Sequence, residues 1–153
     1  MIKKILVALD GSEHANHALN FALDLAEKYS AKIVLLSVVQ PVIVPLSHYQ
    51  TTGMHTPIPP VAMDTYSKEL KASHKKVLSE ALKKAKEIKL ALNVSTKLVE
   101  GRPSDKIIET AKEGNFDIIV MGSRGLGDIR KSFLGSVSDR VADEAACPVL
   151  IVK

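Results

Sequence analysis

Apolar residues along this chain fall into two patterns: short solid runs, and longer stretches where they recur every three or four positions. Ile5-Leu6-Val7-Ala8-Leu9 is the first solid run, and Asp10-Gly11 closes it, which predicts a fully buried strand ending in a turn. Ser12 is placed to cap a helix, with Glu13 favourable in its first turn. Ala15, Ala18, Leu19, Ala22, Leu25, Ala26 and Tyr29 give that helix its apolar stripe. Lys32 to Val39 predicts a second buried strand. The rhythm then breaks between Gln40 and Ala62, where Pro41, Pro45, Pro57, Pro59 and Pro60 forbid a helix and discourage a central strand. A loop of that length is either a lid or a disordered excursion, and composition does not separate the two. It leaves the carboxyl end of the second strand, so the lid reading has it close over or beside a ligand there.

A long helix is expected from about Thr65 to Leu90, with Leu70, Val77, Ala81, Ala85 and Ile88 inward. Val94, Thr96 and Leu98 alternate with Ser95, Lys97 and Val99, as in a half-exposed strand. Gly101-Arg102-Pro103 reads as a turn, with Ser104 capping a short helix that Gly114 closes. Phe116 to Met121 contains a further buried strand, a helix carries Val137, Val141, Ala142 and Ala145, and Pro148 to Val152 forms the last strand. Five strands alternating with four helices predict an α/β fold: one domain over residues 1–153, a parallel sheet with helices on both faces.

Composition narrows this further. Of 153 residues 46% are apolar but only 4% aromatic, without Trp, so the core must be aliphatic, as suits a parallel sheet covered on both faces. The single cysteine, Cys147, excludes an internal disulfide framework and reads as a small core residue. The start, Met1-Ile2-Lys3-Lys4, lacks a signal-peptide layout, and no apolar run approaches the roughly 18 residues that span a bilayer, so a cytoplasmic protein with no membrane contact is expected. The net charge of +4 comes largely from lysines between Lys68 and Lys89. Acids are mixed among them and no aromatics interleave, so they read as a solvated helix face rather than a nucleic-acid surface.

The chemistry concentrates in Gly122-Ser123-Arg124-Gly125-Leu126-Gly127 and in Gly135-Ser136, between the fourth strand and the last helix. Glycine lets backbone N–H groups approach an anion closely, and a helix start adds unpaired N–H donors and a positive dipole end. Arg124, Arg130 and Lys131 add positive charge. From the glycines alone two readings stay open, a phosphate cradle or a surface loop whose glycines turn the chain. Ligands of open α/β sheets bind beyond the carboxyl ends of strands where the winding reverses, and Asp10, ending the first strand, shares that edge.

The spacing Gly122-x2-Gly125-x9-Gly135-Ser136 is similar to that of the ATP-binding universal stress proteins. Ala8-Leu9-Asp10-Gly11-Ser12-Glu13, Glu100-Gly101-Arg102-Pro103, Asp117-Ile118-Ile119-Val120-Met121-Gly122 and Cys147-Pro148-Val149-Leu150-Ile151-Val152 also resemble that family, in the same order. The resemblance implies an open twisted sheet of strand order 3-2-1-4-5, similar to the adenine nucleotide α-hydrolases. It implies that Ala8, Asp10 and Val38 line the adenine and ribose side. Gly122, Arg124, Gly125, Gly135, Ser136 and Val137 would hold the ribose and phosphates, with Mg²⁺ or Mn²⁺ bridging phosphate oxygens. ATP is the expected ligand, with AMP or ADP as the alternative resident, and a homodimer through strand 148–152 is implied.

Two function classes compete: a nucleotide-responsive binding module in stress response, and an enzyme that slowly hydrolyses ATP. The chain lacks Gly-x-x-x-x-Gly-Lys-Ser/Thr, and also the Ser-Gly-Gly-x-Asp-Ser and His-x-Gly-His motifs of related adenylating enzymes. No Glu or Gln in the loop can orient a water, and Asp128 and Asp139 are the nearby acids. A binding module without catalytic residues is therefore expected. His14 and His17 lie i, i+3 on the first helix, His48 and His55 in the long loop and His74 on the long helix; without Cys or Glu at matching spacing they read as packed or exposed, not as metal ligands. The protein partner is not legible in these residues.

Overall fold

A computed structural model describes residues 1–41, 60–89, 91–127 and 134–153. The elements run β1 (Lys4–Ala8), α1 (Glu13–Tyr29), β2 (Lys32–Val39), α2 (Pro60–Ile88), β3 (Val94–Glu100), α3 (Pro103–Glu113), β4 (Ile118–Gly122), α4 (Ser136–Glu144) and β5 (Val149–Val152). All strand pairs are parallel and the sheet order is β3-β2-β1-β4-β5. The chain winds outward from β1 in both directions, so the crevice between β1 and β4 is where the winding reverses.

Strand alternation divides the apolar residues between two layers. Ile5, Val7, Ile33, Leu35 and Val120 pack under α1 and α2, together with Leu19, Leu23, Leu78 and Ala81. Leu6, Leu36, Ile119 and Met121 face α3 and α4, with Ile107 and Val141. Each large side chain fully buried here contributes about 1.5–3 kcal/mol, which explains why the solid apolar runs are the central strands. Cys147, expected to be a core residue, is only half-buried at the edge of the second layer, and burial pushes its thiol up.

The helices depart from expectation in instructive ways. Ser12 caps α1 as predicted, its Oγ accepting from Ala15 N at 3.2 Å. On α1, Leu23 is buried, whereas Leu25 is half-buried and Tyr29 exposed. The long helix begins at Pro60, not Thr65, because proline fits the first helical turn, where its missing N–H leaves no bond unmade. Its inner face holds Leu78, Ala81 and Ala85, while Ile88 is exposed at the final turn. Ser104 is not a cap. Arg102 occupies the N-cap position, Pro103 opens α3, and Ser104 is buried inside it. Gly114 ends α3 without a left-handed φ, and Asn115 takes that conformation (φ 49°). Gly114 is glycine for a packing reason, since a Cβ there would lie 2.2 Å from the Phe116 ring.

The lysine side of α2 is exposed and paired along the helix: Asp64 with Lys68, Glu80 with Lys76 and Glu87 with Lys83. Such pairs contribute about 0.3–0.5 kcal/mol each. Most of the 40–62 segment expected to be a lid or an excursion lies outside the described residues.

Candidate functional site

The carboxyl ends of β1 and β4 deliver Asp10 and the glycine loop to the same crevice. Asp10 is held from two directions. Its Oδ1 accepts from Ser12 N at 2.9 Å and its Oδ2 accepts from Leu126 N at 3.1 Å. The carboxylate therefore ties the β1–α1 turn to the loop after β4. Ser12 adds a second tie, its Oγ lying 3.3 Å from the Arg124 carbonyl.

Two glycines of the loop are required by contact rather than by φ. A Cβ on Gly125 would sit 2.6 Å from Asp10 Oδ2. A Cβ on Gly122 would sit 2.7 Å from the carbonyl carbon of His14 and 2.8 Å from Ala15 N. The mostly alanine inner face of α1 permits this close approach to the sheet. Positive φ occurs instead at Gly11 (87°) and Gly101 (142°).

The start of α4 is clamped to the end of β4. Gly135 is the N-cap, with φ −75° and ψ 158°, and makes no side-chain cap bond. Its N–H donates to the Ser123 carbonyl at 2.8 Å, and Ser138 Oγ, buried, also lies 2.8 Å from that carbonyl. Ser123 N in turn donates to Val152 O at 2.7 Å. The first intrahelical bond runs from Asp139 N to Gly135 O, which leaves the amides of Ser136, Val137 and Ser138 outside the helix's own bonding pattern. Those amides sit at the positive end of the helix dipole.

These segments enclose one cavity of about 770 Å³, within the range of small-molecule sites. Ala8, Asp10, Val38, Gly122, Arg124, Gly125, Gly135, Ser136 and Val137 all line it, so the nine residues that the resemblance assigns to the ligand come to one place, while Arg130 and Lys131 lie outside the described residues. Asp10 is the one acidic side chain among the described residues lining it. Asp139 is exposed in the first turn of α4, and Asp128 lies outside the described residues.

Sequence reasoning missed the contribution of α2. Tyr66, Leu70 and His74, at i, i+4 and i+8 on α2, form a further wall of the cavity. The signal was available: Leu70 was expected to face inward, and the other two lie one turn to either side of it. His74 Nδ1 is 2.8 Å from Ser37 Oγ, and burial holds the imidazole below its ordinary value, partly opposed by the Asp10 carboxylate. Ser138 was missed too, since a serine inside a helix carries no pattern that announces a clamp. Among the described residues no group of three or more His, Cys, Asp or Glu could hold a metal ion. No helix among them is long and apolar enough to cross a membrane.

The universal stress protein family matches residues 1–153. Universal stress protein YxiE of Bacillus subtilis is 36% identical over 153 residues, covering all of both chains. Universal stress protein UspA from Lactobacillus plantarum superposes with a TM-score of 0.78 at 25% identity, covering 99% of this chain and 98% of that one. A universal stress protein in complex with cAMP has a TM-score of 0.71 at 25% identity, covering 99% and 97%. Strand order, the crevice between β1 and β4, and a match along the entire length agree: the chain belongs to the universal stress protein family.

Proposed function

We propose that this protein is an adenine-nucleotide binding module of the cytoplasm, acting as a single domain in stress response, with ATP as the ligand and AMP or ADP as alternatives. One observation carries the reading. Residues from β1, β2, α2, α3, the loop after β4 and the start of α4 converge on a cavity of suitable size at the switch point, and a helix N-terminus opens onto it. Ala8, Asp10 and Val38 form the adenine and ribose side. Gly122, Arg124, Gly125, Gly135, Ser136 and Val137 take the ribose and phosphates, the backbone amides of α4 facing the anion. The universal stress protein in complex with cAMP supports an adenine nucleotide as the class of ligand. A divalent cation, Mg²⁺ or Mn²⁺, would be held as a counterion through the phosphates, since among the described residues no group of three or more His, Cys, Asp or Glu could hold it.

A binding role is favoured over hydrolysis by the state of Asp10. Both of its oxygens accept backbone N–H bonds, so the one acid among the described residues lining the cavity is engaged in anchoring the loop. Calorimetry with ATP and Mg²⁺ tests the reading. Binding to the unmodified protein should be lost in Gly125→Val and Gly135→Val, with no sustained release of phosphate from ATP in any of the three. Equal affinity in all three would contradict it.

A further inference from the structure

Of the three α2 residues that line the cavity, His74 has chemistry that the surrounding atoms fix. Ser37 Oγ is fully buried, 2.7 Å from the Leu9 carbonyl and 2.8 Å from His74 Nδ1. A hydroxyl has one proton, and a carbonyl can only accept. The Ser37 proton therefore goes to Leu9, and Ser37 offers His74 a lone pair. Nδ1 must carry the ring hydrogen of the neutral imidazole, which leaves Nε2 as a bare acceptor. Burial favours that neutral form.

The position of the ring selects which part of a nucleotide it can meet. Ser37 precedes Val38 on β2, and Asp10 follows β1, so His74 stands over the β1–β2 side of the cavity. Gly135 and the α4 amides close the cavity from the β4 side. Negative charge at Asp10 disfavours a phosphate beside His74 and suits uncharged donors instead.

We propose that His74 Nε2, held in one tautomer by Ser37, accepts a hydrogen bond from the nucleoside half of the ligand and so sets its specificity. This inference rests on the nucleotide reading above. The donors that fit are a sugar hydroxyl or an exocyclic amine, and ligands lacking the donor leave a desolvated acceptor unpaired.

Nitrogen-15 NMR of the imidazoles in the unmodified protein gives the direct test. Before ligand is added, His74 should be protonated at Nδ1 and bare at Nε2, and saturation with ATP and Mg²⁺ should move the Nε2 resonance. Calorimetry should find His74→Phe about tenfold weaker for ATP, the effect of one lost hydrogen bond. Comparing 2′-deoxy-ATP, 3′-deoxy-ATP and ITP in both proteins identifies the donor, because the analogue lacking it loses nothing more on His74→Phe. A stationary Nε2 resonance while the α4 amides respond to ATP would overturn the proposal and leave the nucleotide site standing, as would an unchanged affinity in His74→Phe. Absence of any ATP binding to the unmodified protein would remove both.

Discussion

A methyl group on Gly125 would meet the Asp10 carboxylate at 2.6 Å, whereas one on Gly122 would meet the backbone of α1. Substitutions three residues apart should therefore fail differently. Gly125→Ala displaces Asp10 or the loop, so ATP affinity should fall by tenfold or more with little change in melting temperature. Gly122→Ala pushes α1 from the sheet and should cost about 1–3 kcal/mol of stability in a urea titration, as overpacking does. His74 adds a pH dependence. Its folded value is lowered from 6.5 by burial, so the unfolded chain takes up this proton first as pH falls. The stability it contributes is complete above that ordinary value and is lost as pH drops below it. The urea midpoint should decline between pH 7.5 and 5.5, and His74→Phe should flatten that decline; an identical decline in the variant would exclude the assignment.

At the scale of elements, strands and caps were legible where local chemistry dominates. Ile5-Leu6-Val7 and Ile118-Ile119-Val120 could only be buried strands, and Ser12 had both the residue type and the position of a cap. Ser12→Ala should cost about 1 kcal/mol, measured by thermal unfolding, through the lost bond to Ala15 N. Tertiary contacts decided what local chemistry did not. Ser104 follows Pro103 in a cap-like sequence, yet α3 has already begun, and the serine is buried where Arg140 Nη1 lies 3.5 Å from its Oγ. Ile88 continues the stripe of α2 but is exposed as the last residue of the helix. His74 was legible as a helix residue and illegible as a cavity wall, because the serine it bonds lies 37 residues away in β2. The glycines of the loop stand out in the sequence by their spacing, but the contacts with α1 and Asp10 that explain Gly122 and Gly125 are not revealed by spacing alone.

For the whole molecule, the strand order places β5 at one edge of the sheet, with Val149, Leu150 and Ile151 only half-buried. An apolar edge strand offers unpaired backbone groups to another chain, and β5 itself carries no charged residue. Pairing of two copies through 148–152 about a two-fold axis would cover it. Light scattering should report twice the chain mass, shifting toward one in Leu150→Lys; a monomer at high micromolar concentration would reject the dimer. Everything proposed for the function of this protein turns on the cavity at the β1–β4 crevice being the nucleotide site. Backbone amide NMR during titration with ATP and Mg²⁺ tests that directly. The largest shifts should fall on Arg124 to Gly127 and on Ser136 to Ser138, with smaller ones at Ala8 and Val38. Amides unmoved at millimolar ATP, or moved only away from that crevice, would contradict it.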